Sequence, residues 1–428
     1  MDLVKVKSLN FLKISNSEMR ASTFKTRTVG CIYNTRRGTL YQLSDHNQAL
    51  TPINTVQINL PEFLDKKYIF EMIEEEKIGF RKYLNLDHYE NYLTIYNSNT
   101  QKKILGTSRE DAIKLFLNGY KELSIYELIK FAELCKPDVL ASFAEVPAIT
   151  DSGQKSNKRA IAKNIYFLEK TIEKFKPLGT LVLAPIIATK FHALLEESVV
   201  NMQKLEPDGY VIQGLHQGES FEERDSIYQT IHKAFVGQNI KDKKLVLSSV
   251  GEPCDILHAI YNGIYLFETE YPFQSAEKGE ALDWNLTEFQ INESKPEGVQ
   301  EDIHGQTLDK SVFQQGLKAR KLDLKSKTHK MVLEPLLEKC DCYTCKNHTQ
   351  AYIHHLLECD EMTANVLLTI HNVHTYQQFI DLLQQNEERS TLHSFIQWFM
   401  DTQSVVPPAS SDEKAKNTES KPKDADQE

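Results

Sequence analysis

The feature that most constrains this chain is an alternation, from about residue 124 to 270, of short apolar runs with segments of helical period. Val139–Phe143 reads as a strand, and Lys158–Phe175 as a helix with Ile161, Ile165, Leu168, Ile172 and Phe175 on one face. Strands are then expected at Thr180–Ile186, Tyr210–Leu215, Leu245–Val250 and Ile264–Phe267. Helices are expected at Phe191–Met202 and Asp225–Phe235, and from Pro253, which suits a first helical turn, to Gly263. Apolar strands between amphipathic helices imply a parallel sheet covered on both faces. Such a sheet is either open and doubly wound or closed as a (β/α)8 barrel. The open form would carry G-x-G-x-x-G after an early strand, and neither that motif nor a phosphate loop occurs. The expected class is therefore α/β, a TIM barrel with insertions.

Other segments differ in texture. Thr28–Tyr33 and Gly38–Leu43 alternate around Thr35-Arg36-Arg37, which predicts a hairpin lid within residues 1–60, ahead of a barrel body at 61–330. Residues 276–310 are polar and acidic (Glu293, Glu297, Glu301, Asp302) and read as an insertion or mobile loop. Residues 331–403 read as a small helical subdomain, and 404–428, with Pro407-Pro408 and mixed charges, as a disordered tail. The chain has 50 Lys+Arg against 60 Asp+Glu, so bulk charge does not favour nucleic acid, although a local basic patch can. Lys13 interrupts the first apolar stretch, and Gly179–Thr189 is far short of the ~20 residues of a membrane span. A soluble intracellular protein without a span is expected.

Seven cysteines are present; four are scattered (31, 135, 254, 359), while Cys340, Cys342 and Cys345 crowd into six residues. Three sulfurs in a tight loop can surround one cation, and Zn2+ takes four N or S ligands tetrahedrally. Chance clustering of reduced surface thiols is the less favoured alternative. The fourth ligand is open among His348, His354, His355, Cys359 and His371. His354 and His355 are helical neighbours and cannot both face the metal. A straight helix would carry His371 ~35 Å from His348, so His371 can ligate only if the chain doubles back near Cys359-Asp360.

Cys340-x-Cys342-x2-Cys345-x25-His371, enclosing Gln350-Ala-Tyr-Ile-His-His-Leu356 and Thr369-Ile-His-Asn372, resembles the zinc subdomain of the tRNA-guanine (queuine) transglycosylases. Upstream, in the family's order, Phe143-Ala-Glu145 resembles its F-D-E and Gly209-Tyr-Val-Ile-Gln-Gly-Leu215 its G-Y-x-[IV]-G-G-L. Val250-Gly-Glu-Pro253 resembles its V-G-x-P, and Tyr265-Leu-Phe-Glu-Thr269 with Pro272 its M-F-D-C…P-T-R. The resemblance spans about residues 20–400. It implies a barrel with a small zinc-binding helical subdomain, one structural zinc held by Cys340, Cys342, Cys345 and His371, and a reaction in which an aspartate attacks the ribose, guanine leaves and queuine replaces it.

The departures are systematic. The nucleophile position holds Glu268, the base-reading position Ala144, and one glycine of the base-approach pair is Gln213. The P-T-R arginine is replaced in Pro272-Phe273-Gln274, and the family's D-S-G-G-F-Q is absent. Asp151-Ser152-Gly153 lies after the F-x-E strand rather than before it and reads as a turn and cap ahead of a helix. Changed site positions beside four retained zinc ligands resemble the family's non-catalytic eukaryotic subunits. That implies a heterodimer with the catalytic subunit of queuine tRNA-ribosyltransferase, serving tRNA with a wobble guanosine, in the cytoplasm and in some cases at the mitochondrial surface. No segment explains such docking. The alternatives are a zinc-stabilised tRNA-binding homodimer and a weakly active transglycosylase using Glu268. The run Lys318, Arg320, Lys321, Lys325, Lys327, Lys330 is a candidate phosphate-contacting surface, balanced against a plain solvated face.

Overall fold

Eight strands close into one parallel barrel in the computed structural model, which describes residues 29–64, 66–96, 109–116, 119–150, 152–240, 243–289 and 311–406. They are β1 (Gly30–Asn34), β2 (Thr55–Asn59), β3 (Glu90–Thr94), β4 (Val139–Ala141), β5 (Leu181–Ile187), β6 (Gly209–Gln213), β7 (Lys244–Leu247) and β8 (Leu266–Thr269). Closure is made by β1 against β8, with Gly30 opposite Leu266 and Tyr33 opposite Thr269. Side chains alternate along each strand. Ile32, Tyr92, Val139, Ala141, Leu183, Val211, Val246 and Leu266 therefore meet inside the barrel, while Tyr33, Leu93, Ala184, Ile212 and Phe267 join the core beneath the helices.

The helices start where local chemistry sets them. α1 is Lys67–Glu76 and α2 is Ile125–Cys135, the latter opened by a reciprocal Ser124/Glu127 capping box. α3 (Gln154–Phe175) begins four residues earlier than the periodicity suggests, and α4 is His192–Gln203. α5 (Phe221–Gly237) has a Ser220/Glu223 box, α6 (Pro253–Tyr261) has proline in its first turn, and α7 (Tyr271–Lys278) follows β8. After these come α8 (Tyr343–Asn347), α9 (Gln350–Glu358), α10 (Met362–Glu388) and α11 (Leu392–Thr402). No described helix is long and apolar enough to cross a membrane.

The long α10 seats on the barrel. Tyr33 donates to the Gln377 side chain at 2.9 Å, and Tyr376 donates to the Gly251 carbonyl at 2.9 Å. Gly251 is required there, because a Cβ would come within 2.5 Å of the Tyr271 Cβ.

Three expectations are corrected. The hairpin lid over residues 28–43 does not form: Gly30–Asn34 is a barrel strand, parallel to β2 and β8, and only an isolated Arg36–Thr39 bridge follows it. The alternation read as a two-faced hairpin is that of a strand buried on both faces, and without it the gap between β8 and β2 would stay open. The barrel therefore begins inside the first 60 residues, since β2 lies there too.

The second correction concerns the insertion, whose described part, 276–289, is ordered. Glu280–Leu282 pairs antiparallel with Lys321–Asp323, and the fully buried Trp284 donates from its ring to the Arg320 carbonyl at 2.9 Å. Averaged polarity hid that single anchor; residues 290–310 lie outside the described residues. Third, the tail's first residues, Ser404–Val405, pair with Lys318–Ala319, and 407–428 lie outside the described residues.

Candidate metal centre and barrel mouth

The chain does double back at Cys359-Asp360. Asp360 takes the left-handed conformation (φ 54°) and Glu361 donates to the Leu356 carbonyl at 3.0 Å, which closes α9 and starts α10. His371 is thereby brought to the cysteine loop. Its Nδ1 lies 3.7 Å from the Cys340 sulfur, 3.7 Å from that of Cys342 and 3.3 Å from that of Cys345. All four ligand atoms lie within 4.8 Å of one another. With Zn–S about 2.3 Å and Zn–N about 2.0 Å, a tetrahedral ion would span edges of about 3.5–3.8 Å. The cluster fits a zinc site.

The surroundings point the ligands inward. Cys342 caps α8, and the Cys345 N–H donates to its sulfur at 3.3 Å. His371 Nε2 donates to the Leu282 carbonyl at 2.9 Å, which leaves Nδ1 as the lone-pair nitrogen facing the sulfurs. Asn372, the next residue, donates to the Glu280 carbonyl (2.9 Å) and accepts from the Leu282 N–H (3.0 Å). The Thr344 hydroxyl ties α8 to the Leu367 carbonyl of α10 at 2.7 Å. Hydrogen bonds with Cys342 and Cys345 hold the Cys340 thiol below its ordinary value, whereas Cys342 is pushed up by its bonds to Cys340 and Cys345. Three adjacent sulfurs cannot all ionise without a cation among them.

The Leu282 carbonyl lies in the stretch read from sequence as an insertion, so the sequence analysis missed it; the Asn372 side of the lock was visible in the Thr369-Ile-His-Asn372 motif. The other candidates lie elsewhere. His348 stacks on Tyr352 (5.2 Å, 16°), and buried His354 bonds the Leu324 carbonyl at 2.8 Å. His355 and Cys359 share the exposed side of α9.

The barrel mouth is arranged differently. Glu268, on β8, is fully buried, and its Oε1 accepts from the Tyr92 hydroxyl at 2.6 Å. Burial raises its carboxyl to about 7, against the lowering effects of Tyr92, Ser248 and Gln57. Ala144 packs with Tyr96, Val146 and Ile187 in a closed apolar cluster beyond the ends of β3, β4 and β5. The Tyr96 hydroxyl accepts from the Gly214 N–H (3.1 Å) and the Gln217 side chain (2.6 Å), strapping the loop after β6 across the mouth. Gly214 takes a φ of 92° that side-chain-bearing residues rarely adopt, and a Cβ there would press on Val146 at 3.0 Å. Gln213 is 1% exposed, with its side chain inside. Tyr92 and Tyr96 were missed in the sequence; the period-2 pattern Tyr92-Leu-Thr-Ile-Tyr96 was the available signal.

Ser152 and Gly153 sit at the turn before α3, where Asn157 Nδ2 donates to the Ser152 hydroxyl at 2.8 Å; Asp151 lies outside the described residues. Gly153 is the cap residue, with no side-chain capping bond. The basic run divides in two. Lys318 pairs with Asp255 (3.6 Å), Arg320 with Asp283 (3.8 Å) and Lys321 with Glu280 (2.8 Å). Lys325, Lys327 and Lys330 are exposed, and among the described residues their ammonium groups form no ion pair within 4.0 Å.

Comparison with known proteins adds the following. A family model described as "Queuine tRNA-ribosyltransferase" matches residues 24–404. A "Queuine tRNA-ribosyltransferase-like protein" of Plasmodium falciparum (isolate 3D7) is 28% identical over 295 residues, covering 66% of this chain and 69% of that protein. "Queuine tRNA-ribosyltransferase accessory subunit 2" is 25% identical in Homo sapiens, over 83% of this chain and 88% of the human one. In Danio rerio the protein of that name is also 25% identical, over 86% of this chain and 90% of its own length.

Proposed function

This chain belongs to the queuine tRNA-ribosyltransferase family, and we propose that within it the chain is a non-catalytic subunit. Its partner would be the catalytic subunit of a heterodimer that exchanges guanine for queuine at wobble position 34 of tRNAs with GUN anticodons. The observation that carries this reading is the filled mouth. Tyr96, Val146 and Ile187 pack against Ala144, Gln213 is buried, and the one carboxylate at the nucleophile position is buried and bonded to Tyr92. Relatives that align over more than four fifths of the chain carry the name accessory subunit 2, which supports the same reading. The metal is zinc in a structural role, since four protein ligands leave no position open for chemistry.

The zinc subdomain supplies the partner-facing surface. Met331, Leu333 and Met362 are 82%, 75% and 81% exposed. The Ala351 N–H donates to the Val332 carbonyl, so the 331–333 strip lies along α9 beside the Tyr343, His348 and Tyr352 rings. Exposed apolar side chains of this size on one subdomain mark an interaction face. Lys325, Lys327 and Lys330 are the part of the basic run left for tRNA phosphates, and reversing all three is expected to lower the salt slope of tRNA binding by up to ~3.

The deciding experiment is incorporation of labelled guanine or queuine into a wobble-guanosine tRNA, by the chain alone and mixed with a catalytic subunit. Incorporation only in the mixture is expected. Turnover by the chain alone would overturn the reading and make Glu268 the nucleophile to test.

A further inference from the structure

The barrel ends in a rim of loops at the carboxyl ends of its strands, the end at which such barrels take their ligands. Charge on that rim is divided. Over β6 and β7 the helices begin with acids: Glu223 completes the capping box of α5 with Glu222 beside it, and Glu252 caps α6 with Asp255 in its first turn. That is the order the helix dipole favours. Over β4 and β5, which pair side by side, the order is reversed. α3 has no acid in its first turn and no side-chain cap at Gly153, and it opens on Lys155 and Lys158. α4 also lacks both, and Lys190 stands just ahead of it.

Lys155, Lys158 and Lys190 are exposed, and among the described residues their ammonium groups form no ion pair within 4.0 Å. Two acids on the same elements are engaged elsewhere, Glu145 with Lys163 at 2.7 Å and Glu196 with Lys233 at 2.9 Å. Cations at a helix start are unfavourable, and here two adjacent helices share that cost. Local conflicts of this kind are expected where a surface meets a ligand. The arc is also a positive island on a chain of net charge −10, so it can orient an anionic partner. It borders the closed cluster of Tyr96, Ala144, Val146 and Ile187 rather than an open pocket. Such an arc fits an extended polyanion laid across the rim.

We propose that the β4–β5 rim, through Lys155, Lys158 and Lys190, binds the phosphate backbone of tRNA, as a surface separate from Lys325, Lys327 and Lys330. This rests on the tRNA reading above and adds where on the barrel the backbone lies. The acids over β6 and β7 repel phosphate and direct the strand to the β4–β5 side of the mouth. Lysines meet phosphates as point charges and read no base, so the contact is independent of sequence.

The test is tRNA binding by the full, zinc-loaded chain, followed by fluorescence anisotropy between 50 and 200 mM KCl. Lys155→Glu, Lys158→Glu and Lys190→Glu together should weaken binding at least about tenfold and lower the salt slope by ~2–3, alike for tRNAs of different anticodon. The thermal midpoint should not fall, because acids at a helix start are favourable. Gln at the same three positions, a milder change, should lower the slope in the same direction. A parent that binds tRNA and rim variants that keep its affinity and slope would overturn this proposal alone, as would a loss confined to one anticodon. A parent without measurable affinity at 50 mM KCl would overturn it together with the tRNA reading.

Discussion

The cysteine loop and the barrel mouth are two polar constellations in one chain, and they are held in opposite ways. At the cysteine loop four ligand atoms converge within 4.8 Å, and the histidine is oriented by a carbonyl from a separate ribbon. Every group there faces one point. At the mouth the carboxylate is buried inside the barrel and bonded to Tyr92, and Tyr96, packed on Ala144 and Val146, is strapped to the Gly214 backbone. One region is arranged around a point that four ligand atoms share, whereas the other is filled by its own side chains. The Cys3His cluster joins α10 to the ribbon beside β8.

Replacing Cys345 with Ser should give the largest effect: loss of the bound metal and a destabilisation of at least about 5 kcal/mol, read by elemental analysis and chemical denaturation. Retained stability with no metal would reduce the contrast to two merely packed regions. Tyr96→Ala comes next. It should cost ~3–5 kcal/mol as a core truncation, without creating base exchange by the chain alone. Exchange activity in that variant would break the comparison, because the mouth would then be a closed active site rather than a lost one.

Glu268→Gln is the smallest and the most diagnostic. The carboxyl is raised from 4.5 to about 7, so the neutral form suits the folded state. Its contribution is complete below pH 4.5 and fades as pH rises through 7. The variant should therefore gain on the parent between pH 5.5 and 8.5 by about 2 kcal/mol, because that window covers ~1.5 of the ~2.5 units at ~1.4 kcal/mol each. A difference that does not change with pH would show that Glu268 is ionised and compensated throughout.

Much of the barrel was legible because periodicity reports burial. The β–α alternation placed β4 to β8 to within a few residues, and Pro253 marked the start of α6. The strand at Gly30–Asn34 was misassigned as half of a hairpin because alternation does not say which neighbour a strand will pair with; only closure of the eight-strand ring decides that. The same limit hid Trp284 inside a polar stretch, where a single large side chain outweighs its neighbours.

For the sites, the division follows the range of the interactions. Spacing determined the cysteine triplet, since three sulfurs within six residues are a local fact, and family resemblance pointed to His371. How the mouth is filled was decided by the fold alone. Tyr96 meets Gly214 118 residues away, and Tyr92 meets Glu268 across 176. Local chemistry is written in sequence order, but what fills a cavity depends on which strands the closed barrel makes neighbours.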